Sequence, residues 1–437
     1  MPVSSLRILR TPLLLLLGVL LFMPSALAQS QTPSETKSQV QNQYTLSPQK
    51  YQKAIAYARA RYALYFSDTA YGFLVLFLIL EWRWSAKFRD LAERASEVRL
   101  LQSAIFIVLL VLTIAAFELP AEMYAHRLAL KYNQSVQHWP SWFADWGKGL
   151  LLEFVLATFL VWIFYAIVRR RPRRWWFYSW LVAIPFVIFI AFIEPVVVEP
   201  MFFKFVPLQQ NHPELVIEIE RIVNGAGMNI PPGRMFEMKA SAKWNSLNAY
   251  VTGIGASKRV VVWDTTMQKM TVPEVLFVFG HEMGHYVLHH VAKGILLTIS
   301  SMLIALFLAF HLFRWSLQRY GARWHLGGQD DWASLPLLLL IFTLIGFFAT
   351  PIASAISRNF EHEADIYGLE VTHVVNPDWR VAATHSFQIL GEVSLDDPNP
   401  SPFIKFWLYD HPSIDDRIHF AAGYDPWSKG ERPEFVK

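Results

Sequence analysis

Six runs of apolar residues dictate what this chain can become, because most approach the ~20 residues that a helix needs to cross hydrocarbon, the first being short unless it extends back past Asp68. They fall at residues 69–82, 101–119, 149–168, 175–193, 294–313 and 332–356. In hydrocarbon every backbone N–H and C=O must find its partner within the protein, so such runs fold as helices. Composition agrees, since charged residues make up 17% of the chain against about 25% in a soluble domain. The fold is therefore read as mainly α, a polytopic bundle of membrane helices. The net charge is +4, and the basic residues gather at the ends of apolar runs, which suits membrane topology and argues against a nucleic-acid partner. The chain contains no cysteine, so disulfides, thiol catalysis and thiolate-bound metals are excluded. Histidines and carboxylates must supply any metal or catalytic site.

The amino terminus has the layout of a secretory signal peptide. Arg7 and Arg10 precede a short apolar core, and Ala26-Leu27-Ala28 offers a cleavage point after residue 28. Residues 29–68 read as a polar arm followed by a helix, and residues 69–200 as a four-span membrane domain. Arg83, Lys87, Arg89, Arg94 and Arg99 follow the first span; Arg169, Arg170, Arg171, Arg173 and Arg174 follow the third; Arg314, Arg319 and Arg323 follow the fifth. Alternate loops lie on one side of a membrane, and a basic bias places that side in the cytoplasm. The segment between the fourth and fifth spans and the carboxyl-terminal region then face outward. A bacterial inner membrane, with those regions in the periplasm or exterior, fits this layout. Glu81, at the end of the first span, is read as an interface carboxylate in contact with headgroups.

Residues 201–437 are read as one catalytic domain carrying the two further spans, 294–313 and 332–356. Its first part predicts a helix over 214–224 and three strands, over 234–240, 248–254 and 259–264, in a short antiparallel sheet. Gly253-Ile254-Gly255 is only a fragment of a nucleotide-binding glycine pattern and is discounted. The chemistry gathers in residues 272–292, read as one helix opened by Pro273. It contains His281-Glu282-Met283-Gly284-His285. Positions i and i+4 share a helix face, so His281 and His285 can offer two imidazoles to one metal. Glu282 is placed beside them to accept a proton from water. A catalytic zinc needs a third protein ligand. His289 and His290 are read as facing solvent or headgroups. The third ligand is sought in SRNFEHEAD, residues 357–365, where Glu361 and Asp365 share a helix face. Glu361 can bind the metal while Asp365 orients a ligand histidine; His362 and Glu363 compete on spacing alone.

HEMGH, two spans and then SRNFEHEAD together resemble the integral-membrane zinc metalloproteases that include the CAAX prenyl protease and the bacterial heat-shock membrane protease. Further stretches resemble the CAAX protease branch: EPVVVEPMFFKFVPL at 194–208, LNAYVTG at 247–253, KRVVVWDTTM at 258–267 and WLYDHPSIDDRI at 407–418. The resemblance implies an α+β zinc-peptidase domain of gluzincin type, holding one Zn²⁺ per chain on His281, His285 and Glu361. Glu363 is then not a ligand, and Asp365 supports a ligand from behind. Glu282 is implied as the general base. The resemblance also implies that His411 faces the scissile carbonyl, that Arg417 supports the site, and that Asn248 and Tyr250 belong to the strand that receives the substrate backbone. The expected function is a membrane-embedded endopeptidase acting on membrane-associated or unfolded proteins. A zinc transporter or storage protein without hydrolysis is the alternative, although storage gives Glu282 no purpose.

Overall fold

A computed structural model describes residues 40–253 and 258–436. The expected signal peptide and most of the polar arm lie outside the described residues, as do Ile254 and Gly255. The first half is helical: α1 (Pro48–Glu81), α2 (Trp84–Ala95), α3 (Arg99–Lys131), α4 (Trp139–Arg170) and α5 (Trp175–Ile193). A π-helical turn at Glu194–Val198 leads into α6 (Glu199–Phe202). Then come β1 (Phe205–Pro207), α7 (Leu208–Asn211), α8 (Pro213–Gly225), β2 (Met235–Met238), β3 (Ala249–Thr252) and β4 (Arg259–Trp263). The remainder is α9 (Asp264–Lys269), α10 (Val272–Val287), α11 (His290–Tyr320), α12 (Leu335–Val375), α13 (Trp379–Ser394), α14 (Pro402–Leu408) and α15 (Ile414–Gly423).

Among the described residues, five helices are long and apolar enough to cross a membrane, and α5 with the segment after it forms a pair bent by 44° that makes a sixth if the two cross as one span. The expected helix before the first span is not separate. It runs on into that span as α1, because the polar residues between them bond within the helix: Ser67 Oγ donates to Leu64 O and Thr69 Oγ1 to Tyr65 O. Residue 68 thus lies mid-helix.

The three basic loops converge at one end of the bundle. Arg323 binds Glu81, Arg89 binds Asp331 at 2.6 Å, and Trp175 Nε1 donates to Gln329. Glu81 is therefore held by Arg323 and by Trp324, which replaces the expected headgroup contact. From this end α12 rises to Glu361 over about 40 Å, at ~1.5 Å per residue. The same helix contributes Leu337–Leu339 to the membrane cluster and Tyr367, Leu369 and Val371 to a second core around the sheet and α10.

The sheet has the order β1-β2-β4-β3. It is mixed, where antiparallel pairing is expected: β3 and β4 form an antiparallel hairpin, but β2 runs parallel to β4. After β2 the chain crosses through the 3₁₀ turn Ala240–Ala242 to the far edge before pairing with β4. β1 escapes sequence reading because it has three residues. β3 is left as an edge strand beside α10.

Candidate metal centre and cleft

α10 begins where its sequence says it should. Thr271 precedes the helix and its N–H donates to Glu274 at 2.7 Å, closing part of the capping arrangement that satisfies free N–H groups at a helix start. Pro273 lies within the first turn, where a missing N–H leaves no bond unmade. The helix does not run on through residue 292. It ends at Val287, and His289 adopts the left-handed conformation (φ 59°, ψ 28°) before α11 begins at His290.

α10 packs against α12 through residues with little or no side chain. A Cβ on Gly280 would lie 2.7 Å from Val371 Cγ1, one on Gly284 3.1 Å from Ala364 Cα, and one on Gly368 3.0 Å from His281 N. The glycines at 280 and 284 face Ala364 and Gly368, two small-xxx-small pairs that let helix backbones approach closely. This proximity brings Glu361 to the two histidines. The sequence reading missed these glycines, though the four-residue spacing on both helices was a usable signal.

The expected ligands meet. His281 Nε2 lies 3.2 Å from His285 Nε2 and 3.3 Å from Glu361 Oε2, and His285 Nε2 lies 3.4 Å from Glu361 Oε1. Ligands at ~2.0–2.1 Å from a tetrahedral zinc are about 3.3–3.4 Å apart, so the three sites have the spacing of one metal's ligand shell. Glu361 is 1% exposed, and its Oε2 accepts no well-formed hydrogen bond. A buried carboxylate with no well-aligned donor is costly unless positive charge stands close to it, as the imidazoles around Glu361 or a metal cation would. Electrostatics agree. Burial opposes charge on His281, yet its contacts to Asp365 and Glu361 push its pKa up to about 10. Burial pushes His285 down to about 3, the neutral form that a metal ligand needs. A cation bound here would displace the His281 proton and take over the carboxylate field that holds it, so the residues present fit the expected ion.

Behind His281, Asp365 Oδ1 lies 2.8 Å from Nδ1 and so turns Nε2 towards the cluster. Arg417 donates to both oxygens of Asp365, at 2.9 and 2.6 Å, and its guanidinium lies 4.3 Å from the Phe387 ring centroid. Glu282 and His411 line the same cleft, with Asn248, Phe277 and Arg417. Burial pushes the Glu282 carboxyl up to about 7, against the pull of His281. His411 Nε2 lies 3.1 Å from Glu361 Oε2 and its Nδ1 lies 2.9 Å from Asp410 Oδ1. Burial works against charge on this ring too, but Glu361 and Asp410 hold its pKa above the usual value.

Two expectations need correction. Tyr250 is not among the residues lining the cleft: its hydroxyl donates to Glu199 at 2.6 Å, and its ring packs against the Met238, Val261 and Trp263 cluster on the other face of the sheet. His290 faces neither solvent nor headgroups. It is 4% exposed and stacks on Phe360, because the turn at His289 folds it back beneath His285. His289 itself is exposed, as expected. Glu363, a rival ligand by spacing, bonds His290 at 2.9 Å and stands away from the cluster.

Peptidase family M48 matches residues 209–424, and the CAAX prenyl protease N-terminal family, described as five membrane helices, matches residues 25–204. An uncharacterized metalloprotease of Bacillus subtilis, YhfN, is 36% identical over 376 residues, covering 86% of each chain. CAAX prenyl protease 1 of Saccharomyces cerevisiae is 28% identical over 337 residues, covering 72% of this chain and 71% of that one. The crystal structure of S. mikatae Ste24p superposes with a TM-score of 0.74 at 21% identity, covering 87% of this chain and 90% of that one, a likeness of fold. These likenesses support a metalloprotease and lend no support to a transporter or storage protein.

Proposed function

From the premise that this chain belongs to peptidase family M48 and is a multi-pass membrane metalloprotease, we propose that it is a zinc endopeptidase, with one Zn²⁺ on His281, His285 and Glu361. The observation that carries this reading is the set of 3.2–3.4 Å separations among those three side chains, with Glu282 beside them in the cleft. When bound, zinc supplies Lewis acidity that makes water a better acid and a peptide carbonyl a better electrophile.

The protein's own groups do the rest. Glu282 takes a proton from the attacking water and passes it to the leaving amine. His411 donates to the oxygen that becomes negative during attack, a charge absent from the bound substrate. Asp365 and Arg417 keep His281 turned to the metal. The substrate backbone adds to the free edge of β3. Asn248 O accepts from Trp263 N within the sheet, so alternation of hydrogen-bond direction turns the N–H and C=O groups of Ala249 and Val251 outward, towards an incoming strand. Asn248 contacts the peptide from the cleft, while Tyr250 serves by anchoring β3 to Glu199.

We assign residues 1–28 to a signal peptide, 29–68 to the arm and the leading part of α1, which continues unbroken into the membrane domain of 69–200, and 201–437 to the peptidase domain. The basic loops face the cytoplasm of a bacterial inner membrane, and the cleft faces the periplasm or exterior. Substrates there are membrane-associated or unfolded proteins, since prenylated cytosolic proteins are not found on that side. The test uses detergent-purified full-length protein and a mixed set of unfolded and prenylated peptides, with products read by mass spectrometry. Activity should disappear on chelation and return with one equivalent of Zn²⁺. Cleavage that persists after verified metal removal would overturn the reading. Cleavage confined to prenylated peptides would overturn the substrate class.

A further inference from the structure

The second metal ligand has a support of its own that neither the motif nor the family match assigns. His285 turns Nε2 to the metal cluster, and its other nitrogen, Nδ1, lies 3.2 Å from Nδ1 of His290. His290 Nε2 lies 2.9 Å from Glu363 Oε2. The His290 ring stacks on Phe360 with centroids 4.6 Å apart and planes 11° from parallel. Lys293 Nζ lies 3.6 Å from the same Glu363 oxygen and 5.7 Å from the Phe360 ring centroid. Every group in this chain is held from a second side.

This contact exists because α10 stops. In an unbroken helix a residue five positions on lies about 140° round the axis and cannot meet the first. The left-handed backbone at His289 breaks the helix and brings His290 back under His285. A non-glycine residue in that conformation costs roughly 1–2 kcal/mol, and the contact it creates is one benefit set against that cost.

Resting on the metal centre proposed above, we infer that His290 and Glu363 are positioning residues for His285, forming a carboxylate–imidazole–imidazole relay to the metal. The proton placement follows from the partners. His285 bound through Nε2 carries its hydrogen on Nδ1 and donates it to Nδ1 of His290. His290 is then the Nε2–H tautomer and donates to Glu363. The relay fixes the ring orientation of His285 and makes it a better donor to the metal, as Asp365 does for His281. His290 is not itself a ligand, since its Nδ1 approaches the far nitrogen of His285, and among the described residues the cluster able to share one ion comprises His281, His285 and Glu361.

The test compares His290→Phe, which keeps a flat ring on Phe360 but removes both nitrogens, with His290→Gln, which restores an acceptor for His285 and a donor for Glu363. Full-length protein in detergent is stripped of metal and titrated with Zn²⁺ against a chromophoric chelator. Co²⁺ absorption reports the ligand field, and melting of the metal-free forms controls for folding. His290→Phe should weaken Zn²⁺ binding by about 10–100-fold, the usual cost of removing an outer-shell partner. His290→Gln should recover most of that affinity, and Glu363→Gln should fall between them. Wild-type affinity and an unchanged Co²⁺ spectrum in His290→Phe would overturn the relay, as would equal losses in Phe and Gln, which mean packing alone. If His290→Phe does not fold, Glu363→Gln decides, and unchanged affinity there overturns the relay. A wild-type protein that binds no Zn²⁺, like the reference His285→Ala, would contradict the metal centre itself.

Discussion

At the scale of single residues, the site is a set of side chains each held by another. Asp365 is 1% exposed and accepts from both His281 and Arg417. Asp365→Asn keeps the shape but removes the charge, and should weaken Zn²⁺ affinity by about 10–100-fold; chelator competition on the purified protein checks this, and unchanged affinity would reduce Asp365 to a packing role. His411 acts on a charge that exists only after attack, so His411→Ala should lower kcat by about 10²–10³-fold with little change in KM, measured by steady-state cleavage of a fluorogenic peptide. The sequence made the ligands legible because HExxH places two imidazoles on one helix face whatever surrounds them. Asp365 was legible from its helical spacing with Glu361, whereas Arg417 and His411 came only through resemblance, since no local pattern ties residues 411 and 417 to either motif; they meet by tertiary packing. Tyr250 and His290 were misread for the same reason. The side of the sheet that Tyr250 faces depends on Glu199, and the burial of His290 depends on one left-handed residue.

At the scale of elements, the decisive contact is that of α10 with α12. The glycines at 280, 284 and 368 allow it, and a methyl at 284 would press on Tyr367 Cβ at 3.0 Å and on the Ala364 backbone. Gly284→Ala should cost about 1–3 kcal/mol of stability through overpacking. It should also loosen the metal, because the helix that carries Glu361 must move away. Thermal melting with and without Zn²⁺ checks both, and a wild-type melting profile in both forms would contradict the packing argument. The spans were legible from hydropathy alone, since hydrocarbon leaves the backbone no alternative to helix. The strands were legible as strands, but their pairing was not. A three-residue edge strand carries no period, and whether β2 runs parallel or antiparallel to β4 is decided by where residues 239–248 cross, not by the strand sequences.

At the scale of the whole molecule, α11 and α12 join two ends about a bilayer apart, one basic and one catalytic. Arg171 lies at the basic end and Ser428 near the end of the chain beyond α15. The absence of cysteine makes single-cysteine labelling clean. In intact cells a membrane-impermeant maleimide should label Ser428→Cys directly and Arg171→Cys only after lysis; the reverse pattern would put the cleft in the cytoplasm. The central claim is that His281, His285 and Glu361 hold a metal at which Glu282 activates water. It is tested most directly by measuring metal content and peptide cleavage together for wild type and Glu282→Gln. The account predicts equal zinc in both proteins and a loss of about 10²–10⁴-fold in the variant's turnover. Turnover in Glu282→Gln equal to that of wild type, at equal zinc, would contradict it.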